Sequence, residues 1–335
     1  MGTAHCRTNR RPGDSGSQKL DHAGEPVTCN ENRIRFAADR HLLSGTGSTS
    51  GMKQVTQTLI LLCSLLPAVV LGKPLSPPQR IVSLGPIITE MIYLIGADQQ
   101  LIANTSYCIK PDDAANKEKI GSMIQMNVEK IISLKPDLVL ASPLSKEKQL
   151  EMLKNLGVHV QRIDNPKTFS DMCRMTMTMG ELLGKVENAR MVVERAQKEV
   201  DAVLAVTRNL PKKRVFMQIG VKPLHSATQD TFLNEYIEYA GGINITSREK
   251  TGVYSREKVL QENPDVILIT TMGSSESAGE HEKEIWMRYP TLKAARNQEI
   301  HILDSYLVCS PTAGTFAKGL QEIAKILHPE IDGLP

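Results

Sequence analysis

The chain has 335 residues, 41% hydrophobic and 23% charged, a globular balance that excludes wholesale disorder and leaves room for two or three domains. A formal charge of +3 from 40 basic and 37 acidic residues excludes the strong basic excess that a nucleic-acid binder needs. Aromatics at 4%, with Trp286 the single tryptophan, leave few residues from which to build a flat stacking platform.

In chain order, the first recognisable element starts at Met52. MKQVTQTLILLCSLLPAVVLGK has a lysine near its start, an apolar run from Leu59 to Leu71, and Gly72 with Val70 two residues before it, and residues 52–72 read as a secretory signal peptide. Pro67 interrupts the run, which is shorter than the roughly 20 residues that span a bilayer, so a retained anchor is the weaker reading. Cys63 follows Leu62 where a lipobox carries a small residue, and lipid anchoring is likewise the weaker reading. Residues 1–51 lack apolar periodicity and read as a non-native or upstream in-frame leader, with Met52 as the start. Removing residues 1–72 deletes eight basic and five acidic residues and leaves a formal charge of zero. Three cysteines then remain, Cys108, Cys173 and Cys309, so at least one thiol has no partner within the chain, and no CxxC spacing points to structural zinc.

From Arg80 the strand signal Arg-Ile-Val-Ser-Leu-Gly is followed by a turn and a helix over Thr89–Ile95; a helix over Val128–Leu134 precedes a second strand over Asp137–Ala141. The second half repeats the order, with a strand over Arg214–Gly220, a helix over Asn234–Ala240 stopped by Gly241-Gly242, and a strand over Val266–Ile269. Glu129-Lys-Ile-Ile-Ser-Leu-Lys-Pro-Asp137 returns as Glu257-Lys-Val-Leu-Gln-Glu-Asn-Pro-Asp265, every position offset by 128 residues. Alternating strands and helices predict an α/β fold of two Rossmann-like lobes with parallel sheets, over 73–167 and 207–335, with a ligand cleft between them. Between the lobes, residues 168–206 have helical apolar spacing almost throughout and predict a long α-helical bridge, open to a kink, that keeps the cleft nearly rigid. Met172, Met175, Met177 and Met179 fit a soft copper site or the apolar face of that bridge; the face is the expectation. The Glu-rich stretch Glu276–Glu284 reads as a solvated loop, and His159, His281 and His301 show no mutual metal-ligand spacing.

Arg80-Ile-Val-Ser-Leu with Thr89-Glu90, Met126-Asn-Val-Glu-Lys-Ile131, Leu134-Lys-Pro-Asp-Leu138, Lys212-Lys-Arg-Val-Phe216, Gly241-Gly-Ile-Asn-Ile245 and Ser255-Arg-Glu-Lys-Val259 together resemble the helical-backbone (class III) periplasmic substrate-binding proteins of ABC importers for iron-siderophores, haem and cobalamin. The resemblance runs over about residues 79–330 and is nearest to the cobalamin-binding members. It implies a periplasmic binding module without enzymatic activity, expected monomeric. Its partners would be a permease dimer with its ATPase, and its ligand a small metal chelate, a corrinoid foremost, with a ferric siderophore or haem as the alternative. A free-metal receptor and a hydrolytic enzyme are the distant readings, and no G-x-S-x-G elbow, phosphate loop or spaced carboxylate pair supports the last.

In parallel α/β sheets ligands gather at the carboxyl ends of strands. That rule and the resemblance place Tyr107, Met123, Ile124, Ser142, Pro143, His225, Tyr254, Met272, Asp304, Ser305, Tyr306, Leu307 and Val308 at the cleft. The resemblance gives Tyr107 the role of packing on a corrin face and gives Glu129 and Glu257, one per lobe, the role of docking onto the permease. His225 is an axial-ligand candidate or a solvated loop histidine, and Cys108 and Cys309 are thiolate donors or unreactive small side chains. Departures from the cobalamin binders are the missing tryptophans, with Met123 and Tyr254 near their places, Val308 where an arginine is expected, and Ala240 at one end of their disulfide, which cannot form. The axial tyrosine of haem binders falls at about Ser122, and few cleft loops contain arginine for an anionic chelate, so a neutral or weakly charged planar ligand fits best.

Overall fold

A computed structural model describes residues 76–271 and 276–330. The chain divides into two compact units, Met1–Leu71 and Gly72–Pro335, and every described residue belongs to the second. The signal-peptide and leader readings, and Met272, lie outside the described residues.

The first lobe runs β1 (Ile81–Leu84), α1 (Pro86–Leu94), β2 (Leu101–Asn104), α2 (Asp112–Asn116), β3 (Glu118–Lys119), α3 (Val128–Ser133), β4 (Leu138–Ala141), α4 (Glu147–Asn155) and β5 (Val160–Arg162). Its strands are all parallel, in the order β3-β2-β1-β4-β5. Alternate side chains enter opposite faces, as a pleated strand requires: Ile81, Leu138 and Leu140 join one apolar cluster, Val82, Val139 and Ala141 the other. Helix α1 starts three residues earlier than the apolar spacing predicts because Pro86 occupies its first turn, where a missing N–H is no loss.

Two helices follow, α5 (Phe169–Leu183) and α6 (Val186–Thr207). The bridge is therefore a helical hairpin in place of the single rod read from the sequence. Phe169 and Met172 pack in the second lobe's core and Met179 and Leu183 in the first lobe's; α6 returns, with Ala189 in the first and Val200 and Val203 in the second. Gly184 makes the reversal possible, since its φ of 69° is left-handed and a Cβ there would lie 2.6 Å from Pro77 Cγ. Gly180 lets the two helices touch, a Cβ there falling 2.5 Å from that of Ala189. Met172 and Met179 are fully buried, so the methionine stretch is a packing face.

The second lobe runs β6 (Lys213–Gly220), β7 (His225–Ser226), α7 (Phe232–Tyr239), β8 (Gly242–Asn244), α8 (Arg256–Glu262), β9 (Val266–Ile269), α9 (Glu276–Met287), α10 (Lys293–Arg296), β10 (Ile300–Ile302), α11 (Ser305–Cys309) and α12 (Ala313–Leu327). β10, β9, β6 and β8 are parallel, and β7 alone pairs antiparallel. Gly241, left-handed at φ 80°, stops α7 as expected of Gly241-Gly242, and Gly242 opens β8. The predicted loop Glu276–Glu284 is instead helix α9. Glu282 is 1% exposed, paired with Arg256 and receiving a 2.7 Å hydrogen bond from Gln218 Nε2, so a buried partner overrides the polar composition of the stretch.

Candidate ligand cleft

The expected cleft residues lie on loops that leave the carboxyl ends of strands. Tyr107 and Ile109, each 61% exposed, follow β2; Ile124 follows β3; Pro143 and Leu144 follow β4; Val253 lies between β8 and α8, bridged to His225. Exposing large apolar side chains is unfavourable unless a partner covers them, and five of the twelve exposed large apolar side chains among the described residues lie on these strand-end loops. Gly85, at the turn from β1 into α1, gathers two more: a Cβ there would stand 3.2 Å from Ser142 Cβ and 3.8 Å from Met123 Sδ. Ser142 is nearly buried and bonded to Ser145 Oγ at 3.4 Å. His225 lies against the backbone of Gly220 and Gly252.

The two lobes meet where α1 faces α11 and the start of α12. Glu90 is 7% exposed; its Oε2 accepts from Tyr306 Oη at 2.7 Å and its Oε1 from Thr312 Oγ1 at 3.2 Å. Burial pushes the Glu90 carboxyl up to about 7, against the opposing pull of those two donors and of Lys318. Gly314 sits beside Leu94, so the start of α12 can approach α1 closely. The loop after β2 faces α11 as well: Lys110 is raised chiefly by its hydrogen bond to Asp112, with Asp304 of the other lobe a smaller contributor. Asp304 caps α11, its Oδ1 accepting from Tyr306 N at 2.8 Å. Ser305, Tyr306 and Leu307 are half-buried.

Two expected contacts face inward. Val308 is fully buried in the core of the second lobe, because α11 turns it away from the side that carries Tyr306. Tyr254 is 8% exposed, its ring centroid 5.9 Å from that of Phe216; in an extended segment the neighbour Val253 takes the exposed side and Tyr254 the core. Cys108 is fully buried, its Sγ 3.2 Å from the hydroxyls of Thr89 and Thr105, and burial pushes the Cys309 thiol up, which disfavours Cys309 as a thiolate donor. Among the described residues no group of three or more His, Cys, Asp or Glu is placed to hold a metal ion. Open cavities of about 580 Å3, beside Glu299, His301 and Glu322, and about 390 Å3, beside Arg162, Asp164 and Arg174, contain none of the expected cleft residues.

Glu129 and Glu257 are both exposed in the first turns of α3 and α8. Asn127 caps α3 through Lys130 N at 2.9 Å and Ser255 caps α8 through Lys258 N at 3.2 Å. Hydrogen bonds from its own N–H and from Ser255 hold the Glu257 carboxyl below its ordinary range. Sequence reasoning gave no role to Glu90, although one signal was available: it is the single charged residue in the apolar helix Pro-Ile-Ile-Thr-Glu-Met-Ile-Tyr-Leu.

A family profile described as periplasmic binding protein matches residues 81–307. The chain is 32% identical over 197 residues to the vitamin B12-binding protein of Pectobacterium carotovorum, covering 57% of this chain and 71% of that one. It is 28% identical over 261 residues to YvrC, an uncharacterized ABC transporter substrate-binding lipoprotein of Bacillus subtilis, covering 76% and 81%. The crystal structure of the periplasmic vitamin B12-binding protein BtuF of Vibrio cholerae superposes with a TM-score of 0.64 at 25% identity, over 76% of this chain and 98% of that one. The chain belongs to the periplasmic binding protein family, and its relatives are substrate-binding proteins rather than enzymes.

Proposed function

We propose that the protein works in the periplasm, captures a small metal chelate in the interlobe cleft, a corrinoid foremost, and delivers it to the permease of an ABC transporter. The observation that carries this reading is that Tyr107, Ile109, Ile124, Leu144 and Val253, exposed and apolar, all lie on strand-end loops. None of the residues expected at the cleft is an arginine, and Asp304 alone among them carries a full charge. Such a surface suits a broad, weakly charged face and gives little to a multiply charged anion. Two relatives named for vitamin B12 binding support the same choice. Glu129 and Glu257 would engage the permease, each offering an exposed carboxylate at an equivalent helix start.

Absorbance and calorimetric titrations against cyanocobalamin, cobinamide, haemin and ferric siderophores test the ligand. One-to-one binding of a corrinoid is expected, and silence with both corrinoids at micromolar concentrations overturns the choice. Tyr107→Ala should weaken corrinoid binding by about 1 to 3 kcal/mol through lost aromatic burial, and an unchanged affinity returns Tyr107 to the rim. Replacing Glu129 and Glu257 together by Ala should abolish uptake in cells that carry the cognate permease and leave ligand affinity intact, since rim charges govern orientation and on-rate.

A further inference from the structure

We propose that Glu90 is a positioning residue for the cleft: it holds the Asp304–Cys309 segment of the second lobe against the first through Tyr306 and Thr312. The inference rests on the reading of this cleft as the binding site. Glu90 belongs to α1 of the first lobe, whereas Tyr306 lies on α11 and Thr312 caps α12, both of the second lobe. Its two carboxyl oxygens are therefore an interlobe fastening, and one of the residues fastened is in the segment expected to touch ligand.

The groups that face this carboxyl are few. Tyr306 approaches from α11, Thr312 and Lys318 from α12, and Tyr236, fully buried, from α7. Cys108 and Asp304 lie near Tyr306, and burial keeps its phenol protonated, with Glu90 the next cause and Asp304 and Cys108 smaller ones. Two hydroxyls and a distant ammonium do not offset the burial, so the closed contact binds a proton more tightly than a solvated Glu90 would. Linkage then fixes the direction. A state that holds the proton more tightly is favoured at low pH, so the fastening is firm below the ordinary carboxylate pKa and loosens as pH rises through about 7. The neutral acid can donate from one oxygen and accept at the other, which the two hydroxyls accommodate by reversing one bond.

Hydrogen exchange of the Asp304–Cys309 amides in the ligand-free protein, corrected for the intrinsic pH dependence of exchange, tests this between pH 5.5 and 8.5. In the wild type protection should fall by up to about tenfold per pH unit between pH 5.5 and about 7, the limit set by release of one proton, and level off above that. Glu90→Gln, which keeps the shape and stays neutral, should be protected at every pH with no slope. A flat wild-type profile, or the same slope in Glu90→Gln, overturns the proposal. Tyr306→Phe removes one crossing bond and leaves the acid in place. It should exchange faster than the wild type at low pH, and unchanged protection there overturns the proposal even if Glu90→Gln fails to fold. Cyanocobalamin affinity measured over the same range should follow the exchange profile in the wild type and be flat in Glu90→Gln. If cyanocobalamin binds at no pH while the exchange profile stands, the corrinoid reading fails and the positioning role of Glu90 is supported; if it binds with a pH dependence that Glu90→Gln retains, the positioning role fails.

Discussion

The duplicated segment permits a comparison between the lobes. In the first, Asn127 caps α3, Lys135 closes it at φ 48°, Asp137 Oδ2 accepts from Arg80 N at 2.9 Å, and Arg80 Nη2 reaches Leu134 O at 2.6 Å. In the second, Ser255 caps α8, Asn263 closes it at φ 46°, Asp265 Oδ2 accepts from Arg214 N at 2.9 Å, and Arg214 Nη2 reaches Glu262 O at 3.1 Å. The matching geometry is backbone geometry: a short helix, a left-handed residue and a carboxylate that fixes the next strand. Beneath the helices the lobes differ. The first packs Met126, Val128 and Ile131 on aliphatic strands, while the second packs Tyr254, Phe216 and Trp286 and buries Glu282 with Arg256, whose guanidinium carbon lies 4.6 Å above the Trp286 ring. Presenting an exposed glutamate at a helix start constrains the frame and leaves the filling free.

The filling offers the largest test of that separation. Glu282→Ala leaves the half-buried Arg256 without its carboxylate and Gln218 without its acceptor, and should lower stability by about 3 to 5 kcal/mol in urea unfolding. Glu118→Ala, which breaks the exposed pair with Lys130 beneath the equivalent helix of the first lobe, should change stability by less than about 1 kcal/mol. Equal losses would mean that the lobes are not filled as differently as they look.

Next in size is the seam where the lobes meet. The Glu90 carboxyl is raised from 4.5 to about 7 in the folded protein, so the folded state holds that proton more tightly than the unfolded state. Its stabilising contribution is complete below pH 4.5 and is lost as pH rises to 7. Relative to Glu90→Gln, the wild type should lose about 3 kcal/mol across that window, at 1.36 kcal/mol per pKa unit, and no further above it. Parallel stability-pH curves for the two proteins would remove Glu90 from the seam's energetics.

Legibility in the sequence followed the same division between frame and filling. Short, largely apolar runs such as Ile81–Leu84 and Val266–Ile269 announced central strands, and the 128-residue offset announced the repeat, because both follow from backbone periodicity. β3 and β7, two residues each, and β8 and β10, three each, carry too few side chains to show a period. The bridge was read as helix but not as a hairpin, since Gly184 is as compatible with a kink as with a reversal until Pro77 is seen beside it. At the cleft, loops after strands were legible as places, but the direction of each side chain was not. Tyr254 and Val308 turned inward, and Glu90 gained its importance from partners more than 200 residues away in the chain.

The paired aspartates sharpen the comparison at smaller scale. Asp137 holds two backbone amides, of Gln79 and Arg80, while Asp265 holds one, of Arg214, and the Lys293 ammonium at 3.3 Å. Asp137→Ala and Asp265→Ala should each lower stability by about 1 to 2 kcal/mol, the range for charged acceptors at partly exposed sites. A difference beyond about 1 kcal/mol would show that one lobe depends on the pin and the other does not.

The smallest expected effect lies at the left-handed residue that ends each repeated helix. A side chain with φ near +50° meets its own backbone, and asparagine tolerates the position better than lysine because its short amide bonds locally. Lys135 is exposed and its backbone carbonyl, which accepts from Arg80 Nε at 3.1 Å, is untouched by a change of side chain. Lys135→Asn should therefore raise stability by about 0.5 to 1 kcal/mol. The reverse exchange is not its mirror image. Asn263 Oδ1 accepts from Lys293 N at 2.8 Å, so Asn263→Lys loses that bond as well as the conformational preference and should cost about 1 to 2 kcal/mol. Urea midpoints of the two single variants decide the matter: gain in the first and a larger loss in the second fit a shared backbone frame with one extra hydrogen bond in the second lobe, whereas a loss in the first would mean that the Lys135 side chain holds something the frame does not explain.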